Sequence, residues 1–323
     1  RVRWPRATKV CRPAQCTAAL HMALHVGGVK PGDLVLMPAL TFVATANAVR
    51  YCRADPLFID TDRTTLGFDM AQLADYLRTG TERRNDGVYD KATQRRLGAC
   101  LPVHLFGHVS RLDELVALCA EHDVTLIEDS AEAMGSFFQG RHAGTFGHVG
   151  VLSFNGNKTI TTGGGGMVIT DDEAVAKRIR HITTTAKVAH RWEFFHDELG
   201  YNYRLTNLNA AIGVAQMEQL DRYITSKRAI AARYAEFFGN GSTQHFAEPA
   251  DCHSNYWLNV ILLPDRTERD AFLAYTNDNG VMTRPAWTLM SKLPMYSQCP
   301  ALSLEGAHWL EDRLVNIPST PIV

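Results

Sequence analysis

Short apolar runs alternate with stretches of helical period along the first two-thirds of the chain. In one stretch, Met70, Leu73 and Leu77 recur at the spacing of a helix face. Strands that alternate with helices predict an α/β fold, a mostly parallel sheet covered by helices, in which ligands bind at the carboxyl ends of the strands. The predicted strands cover 33–38, 56–60, 99–105, 124–128, 149–154 and 166–170, and the predicted helices cover 41–53, 68–78, 112–121 and 171–181.

A longer helical pattern follows over 208–238 and ends at the glycine-rich residues 239–241. Its apolar residues have the spacing of one helix face, so we predict that this face is buried. The face consists of Ile212, Ala215, Met217, Leu220 and Tyr223.

The last part of the chain has a mixed pattern, with a strand predicted over 256–263, a helix over 268–279 and a short apolar run at 281–283. Strands and helices that do not alternate regularly are typical of an α+β unit. We therefore predict a large α/β domain at 1–239 and a small α+β domain at 240–323.

The composition of the 323 residues is that of a soluble globular chain, with 46% hydrophobic and 21% charged residues. Its 33 Lys and Arg residues against 34 Asp and Glu leave a net charge of −1, which argues against a nucleic-acid partner. The uncharged run 142–157 is shorter than the ~18 apolar residues of a membrane span. We expect no membrane segment, a cytoplasmic location, reduced thiols at the seven scattered cysteines, and a solvated insertion or loop at 81–96.

The least ordinary segment carries Lys158 between a β-rich run and the four glycines 163–166. Four glycines cost conformational entropy on folding, so a close backbone approach or a positive φ is expected there. A phosphate-binding P-loop is one interpretation, although Asn157 separates Gly156 from the lysine and breaks its pattern. A lysine at a strand end that forms a Schiff base with a carbonyl is another. An exposed lysine in a glycine-rich loop is the third.

Two further features bear on this choice. Asp129 ends an apolar strand, where a carboxylate can pair with a pyridinium nitrogen or can instead cap a following helix. Thr17 stands in the first turn of a predicted helix, and helix amino termini bind phosphate. An amine, an acid and a helix terminus together fit pyridoxal 5′-phosphate. His104 and His108 are not on a helix and have no evident third ligand, so we expect no metal.

Five segments then resemble the DegT/DnrJ/StrS sugar aminotransferases, which have the fold type I architecture of aspartate aminotransferase. They occur in the family's order along nearly the whole chain: CTAALH at 16–21, PALTFVA at 38–44, EDSAE at 128–132, SFNGNKT at 153–159 and GYNYR at 200–204. Residues 190–204 and 283–287 are most similar to the branch of bacillosamine and legionaminic acid synthesis. Cys16 departs from the glycine that relatives usually have.

The resemblance implies a role for each matching residue. Lys158 would hold the cofactor covalently and move a proton, Asp129 would bind the pyridine nitrogen, and Glu132 would lie near the ring hydroxyl. The other implied contacts are Phe42 stacked on the ring, Thr17, the Ala18 amide and Ser153 on the phosphate, Asn202 from a neighbouring subunit, and Trp192, His196 and Arg284 in the sugar pocket.

The implied activity is transfer of the amino group of glutamate to a nucleotide-linked 4-keto sugar of the UDP-4-keto-6-deoxy-HexNAc type, for cell-surface glycan synthesis. A homodimer with shared active sites is expected. Three alternatives stay open at this point: a dehydratase with the same cofactor, whose relatives have histidine in place of the lysine; a sugar-nucleotide sensor without catalysis; and a P-loop nucleoside triphosphatase.

Overall fold

The computed structural model describes residues 9–109, 111–239 and 241–322, so the start of the predicted large domain and Asn240 at the predicted boundary lie outside the described residues. Its helices are α1 Cys16–Val26, α2 Val43–Tyr51, α3 Met70–Asp75, α4 Leu112–Glu121, α5 Glu173–Thr183, α6 Asn207–Glu218, α7 Leu220–Phe238, α8 Arg266–Asp278 and α9 Glu305–Glu311. The strands are β1 Lys9–Cys11, β2 Leu34–Pro38, β3 Asp55–Ile59, β4 Thr81–Arg84, β5 Gly87–Asp90, β6 Leu97–Cys100, β7 Ile127–Asp129, β8 Phe137–Phe138, β9 Arg141–His142, β10 Val149–Ser153, β11 Gly166–Thr170, β12 Lys187–Val188, β13 Phe195–His196, β14 Gln244–His245, β15 Cys252–His253, β16 Asn259–Leu262, β17 Arg284–Pro285 and β18 Leu314–Ile317.

A central sheet carries the candidate site. Strands β3, β2 and β6 pair in parallel, and β7 pairs in parallel with β10. Parallel bridges from Cys100 to Leu126 and from Val103 to Asp129 join the two groups, while β11 and β1 continue the sheet in antiparallel pairing. All residues of β2 and β10 are buried, as expected where helices cover both faces. The predicted α/β fold is confirmed.

Local sequence signals set several helix ends. The side chains of Asp69, Asp172 and Asp265 accept hydrogen bonds from the first-turn amides of α3, α5 and α8, which satisfies donors that a helix start leaves unpaired. Helix α4 and strand β11 have the predicted bounds. None of the helices in the described ranges is long and apolar enough to cross a membrane.

The carboxyl-terminal region forms a second sheet, in the antiparallel order β14-β16-β18-β17. Phe272 and Leu273 of α8 pack against a cluster that contains Ile261 and Val315. The strand predicted over 256–263 is shorter, since Tyr256 has a φ of 45° and the extended backbone begins only at β16. The mixed pattern agrees with an α+β unit, and the domain boundary near residue 240 stays a prediction.

Two expectations about the elements are wrong. The helix predicted over 208–238 is divided at Gln219, and α6 buries none of its residues; of the predicted face only Leu220 is buried, while Met217 and Tyr223 are partly buried against the same cluster. The segment 81–96 is not the loop that was one of its two interpretations, since residues 81–90 form the β4–β5 hairpin, with Val88 buried. An antiparallel hairpin can be polar on one face, so its charge density hid its strand pairing.

Candidate active site

A cleft of about 370 Å³ opens at the carboxyl ends of β7 and β10, the edge where an α/β sheet binds ligands. Residues from distant parts of the chain meet there. Six of the residues that the sequence predicts for the site line this cleft, namely Thr17, Phe42, Asp129, Glu132, Ser153 and Lys158.

Asp129 is the last residue of β7 and is buried. Its Oδ2 accepts a hydrogen bond of 2.8 Å from the Thr45 hydroxyl, and its Oδ1 accepts one of 3.1 Å from the Ala131 amide. Burial raises the pKa of Asp129 because the carboxylate loses its hydration, and the two hydrogen bonds oppose this rise. Residues 130–136 form turns and irregular structure, so the interpretation of Asp129 as a helix cap is wrong.

Glu132 is a second buried carboxylate of the cleft. Its Oε2 accepts a hydrogen bond of 2.7 Å from the amide of Phe106, which has a left-handed φ of 58°. Burial raises the pKa of Glu132 to about 7, although the nearby Lys158 ammonium opposes the rise. A carboxyl group with this pKa can hold or release a proton near neutral pH.

Lys158 lies in the loop between β10 and β11, and its side chain is 12% exposed. Its Nζ lies 3.5 Å from Glu132 Oε1 and 3.7 Å from the centroid of the Trp257 ring. The alternative of an exposed surface lysine is therefore wrong. The P-loop interpretation is wrong as well, because residues 159–165 lead into β11 rather than into a helix.

The first turn of α1 lines the same cleft at Cys16 and Thr17. The residue before this helix makes no side-chain cap hydrogen bond, which leaves the first amides, including that of Ala18, able to bind an anion. Ser153 is buried nearby at the end of β10. Burial raises the pKa of the Cys16 thiol to about 12, so a neutral thiol lies beside Ser153 at this end of the cleft.

Aromatic rings line another part of the cleft. Phe42 is 49% exposed, and its ring centroid lies 5.9 Å from that of Trp287. Trp287 in turn stacks on Phe106, at 5.3 Å between the centroids and 23° between the planes. An accessible aromatic face of this kind can stack on a flat ligand. The sequence did not predict Trp287 as a site residue, although it ends the segment 283–287 that resembles the family.

Four predicted site residues lie outside the cleft in the single chain described. Asn202 and Arg284 are exposed, and Trp192 is 68% exposed. His196 is exposed too, and its Nδ1 lies 2.7 Å from the Thr185 carbonyl oxygen. Their expected roles, toward a neighbouring subunit and toward a sugar, stay predictions.

The two histidines weighed as metal ligands have separate environments. His104 Nε2 lies 3.0 Å from Glu128 Oε2, and His108 is buried between aromatic rings. Within the described ranges, the possible metal-ligand atoms of His181, Asp197 and Glu198 also lie close together, but an arginine pairs with the Glu198 carboxylate.

The donors and acceptors of the cleft fit pyridoxal phosphate. The buried acceptor Asp129 suits a protonated ring nitrogen, and the Lys158 amine suits an aldehyde. The uncapped turn of α1, with Thr17 and Ser153, suits a phosphate group. Phe42 offers a ring face.

Known proteins with similar sequences and structures agree with this fit. The GDP-perosamine synthase of Escherichia coli O157:H7 is 37% identical over 307 residues, which cover 94% of this chain and 79% of that protein. The solved structure of a DegT DnrJ EryC1 StrS aminotransferase from Brucella abortus has a TM-score of 0.87 at 26% identity and covers 97% of this chain and 81% of its own. The aminotransferase TlmJ from Streptoalloteichus hindustanus has a TM-score of 0.86 at 29% identity, covering 97% of this chain and 80% of its own.

The family model for DegT/DnrJ/EryC1/StrS aminotransferases matches residues 6–323. Aminotransferases of this family depend on pyridoxal phosphate, as the residues of the cleft predict. These relatives do not confirm the predicted placement in the bacillosamine and legionaminic acid branch. The chain belongs to the DegT/DnrJ/EryC1/StrS aminotransferase family.

Proposed function

We propose that this chain transfers the amino group of glutamate to a nucleotide-linked 4-keto sugar, with Lys158 as the catalytic residue. One observation carries the proposal: the Lys158 amine, the buried Asp129 carboxylate and the uncapped turn of α1 line a single cleft. The dehydratase alternative is disfavoured because the relatives with that activity have histidine in place of the lysine.

The protein groups divide the work of binding and proton transfer. Bound pyridoxal phosphate supplies an electron sink for the carbon that gains or loses a proton. Asp129, oriented by the Thr45 hydroxyl, holds the proton on the ring nitrogen. Thr17, the Ala18 amide and Ser153 bind the phosphate, and Phe42 covers one face of the ring. These contacts fix the position of the ring before any proton moves.

Lys158 carries the proton in this proposal. Its Nζ is in the cleft and within 3.5 Å of Glu132, the acid that we assign to the ring hydroxyl. With the cofactor bound, the Lys158 amine would take the proton from the α-carbon of glutamate, which leaves as 2-oxoglutarate, and in the second half-reaction it would deliver a proton to the sugar carbon that gains the amino group. Two half-reactions at one site give ping-pong kinetics.

Two nucleotide sugars are candidates for the acceptor. The sequence resemblance predicts a UDP-4-keto-6-deoxy-HexNAc, whereas the name of the E. coli relative supports a GDP-linked sugar. We propose that the chain accepts one of them, with Trp192, His196 and Arg284 as candidate sugar contacts. Incubation with glutamate and a panel of UDP- and GDP-linked 4-keto sugars, followed by mass analysis, identifies the acceptor. Absence of any aminated sugar, with cofactor bound, contradicts the proposal.

We also propose that two copies of the chain form a homodimer. Leu208 and Val214 of α6 are mostly exposed, and an apolar groove of about 530 Å³ lies between α6 and strands β10 and β11. Exposed apolar surface of this kind is typical of a subunit interface. Asn202 is also exposed and lies shortly before α6 in the chain, and in such a dimer its side chain would reach the phosphate in the partner's cleft.

A mixing experiment tests this shared site. Lys158→Ala and Asn202→Ala chains, each inactive alone, are unfolded together and refolded as a mixture. If Asn202 acts across the interface, mixed dimers hold one intact site each, so an equal mixture regains about a quarter of the wild-type activity. No regain in a mixture that has formed dimers, checked by sedimentation, contradicts the role of Asn202.

A further inference from the structure

Trp257 contacts the candidate catalytic lysine although it lies far along the chain, just before β16. It is buried, with 4% of its surface exposed. We infer that Trp257 is a positioning residue that holds the Lys158 side chain and its loop in the geometry required for capture of the cofactor. This inference rests on the proposed role of Lys158.

Two contacts link Trp257 to the lysine loop. Its indole Nε1 donates a hydrogen bond of 2.7 Å to the carbonyl of Asn157, the residue immediately before Lys158. The ring centroid lies 3.7 Å from Lys158 Nζ, which is within the range of a cation–π contact. One side chain thus holds both the backbone and the tip of the lysine.

The backbone of Trp257 is itself held on both sides. Its amide donates a hydrogen bond of 2.7 Å to Asn255 Oδ1, and its carbonyl accepts one of 3.0 Å from Lys227 Nζ. The Asn255 side chain also donates to the carbonyl of Glu132 and to the Thr159 hydroxyl, at 2.8 and 3.2 Å. Glu132 and Thr159 are therefore linked by the Asn255 hydrogen bonds to the segment that carries the Trp257 ring.

Glu132 is the other candidate to hold the lysine. Its Oε1 lies 3.5 Å from Lys158 Nζ, which is long for a charge-assisted hydrogen bond. With a pKa of about 7, Glu132 is ionised only part of the time near neutral pH. The Trp257 ring has no titratable group, so its packing against the lysine side chain does not depend on the ionisation of Glu132.

The covalent step shows what this positioning changes. The neutral amine of Lys158 adds to the aldehyde carbon of pyridoxal phosphate, and water leaves as the carbon–nitrogen double bond forms. The rate depends on how often the amine points at the aldehyde. At high pH, where the amine is neutral in every variant, the capture rate reports geometry alone. Pyridoxamine phosphate has no aldehyde, so its affinity reports the rest of the cleft.

The experiment compares these two quantities in the cofactor-free chain and its Trp257→Leu variant. We expect the plateau rate of capture at high pH, followed by visible absorbance, to fall about tenfold, because the variant loses both the hydrogen bond to the Asn157 carbonyl and the packing of the indole ring against the lysine side chain. The dissociation constant of pyridoxamine phosphate should stay within about threefold of the wild type, because Trp257 holds the lysine rather than the ring. Trp287→Leu, at a tryptophan of the same cleft that packs on Phe42 and Phe106, should change both quantities together.

An unchanged plateau rate in Trp257→Leu overturns the inference, and so does an equal loss in capture rate and in pyridoxamine phosphate affinity. If that variant does not fold, Trp257→Phe decides, because it keeps a ring and loses only the bond to Asn157. Its plateau rate should fall about threefold, and an unchanged rate overturns the inference. Covalent capture by Lys158→Ala would instead contradict the proposed function itself, so the two failures are distinguishable.

Discussion

The raised pKa of Glu132 makes a prediction about stability that needs no substrate. Burial raises this pKa from 4.5 to about 7. A carboxyl group with a raised folded-state pKa stabilises the fold below its unfolded pKa, and this contribution is lost as the pH rises through the folded-state value. Each unit of pKa corresponds to about 1.4 kcal/mol, so the contribution of Glu132 to the free energy of unfolding falls by about 3 kcal/mol between pH 4.5 and 8.

The perturbation is Glu132→Gln, whose amide resembles the protonated acid and can still accept the hydrogen bond from Phe106. The free energy of unfolding is measured by urea denaturation of the cofactor-free chain from pH 4.5 to 8. Variant and wild type should be similarly stable at pH 4.5, and the variant should be more stable by about 3 kcal/mol at pH 8. Comparing the two chains removes the contribution of the buried His21 and His142, whose lowered pKa values act with the opposite sign.

The neighbouring Glu128 gives a matched control of opposite sign. Burial opposes its ionisation, but the hydrogen bonds from His104 and from backbone amides prevail and lower its pKa. Glu128→Gln should therefore lose stability relative to the wild type as the pH rises through the acid range. A difference between Glu132→Gln and the wild type that stays constant from pH 4.5 to 8 would refute the reasoning about Glu132.

Two substitutions test other parts of the site. Thr45→Val removes the hydroxyl that donates to Asp129, so the dissociation constant of pyridoxal phosphate should rise about tenfold in an absorbance titration. Thr41→Val, which removes a hydroxyl one hydrogen bond further from Asp129, should change this constant less. Equal dissociation constants in the wild type and both variants would contradict the role of Thr45. Gly107→Ala places a Cβ 1.9 Å from Asn255 Oδ1 at a φ of +98° and should lower the free energy of unfolding, measured by urea denaturation, by at least about 2 kcal/mol. Gly140 also has a positive φ but has open space around it, so Gly140→Ala should lower this free energy less. An equal loss in the two variants would mean that backbone strain alone, and not the clash with Asn255, is the cause.

Short-range pattern was enough to predict the α/β fold and to single out Thr17, Asp129 and Lys158, and the family resemblance added Phe42, Glu132 and Ser153. Asp129 and Ser153 end their strands, and the carboxyl ends of parallel strands share one edge of the sheet, which is why both residues line the same cleft. The glycines after Lys158 marked a loop of close approach. A Cβ on Gly166 would lie 2.8 Å from the Cα of Cys16, which explains why glycine is needed where this strand passes the start of α1.

Long-range contacts could not be predicted in this way. Thr45 lies inside α2 and Trp257 just before β16, and in sequence each resembles an ordinary core residue. Their importance depends on tertiary packing, which no local spacing encodes. The exposure of α6 was missed for a related reason: an apolar helical period predicts burial, but it does not say whether the same chain or another copy covers that face.

The pair Glu128 and Asp129 shows which physical quantity separates a structural acid from a functional one. Adjacent residues of a strand point to opposite faces, so the motif necessarily puts one carboxylate on each side of β7. Glu128 has a complete set of donors and a lowered pKa, as expected for an ion whose charge the fold already satisfies. Asp129 has two donors among the described residues and a raised pKa, so a protonated ring nitrogen in the cleft would supply the stabilisation that the protein alone does not. The donors of Glu128 are His104 and the amides of Gly144, Phe146 and Gly147.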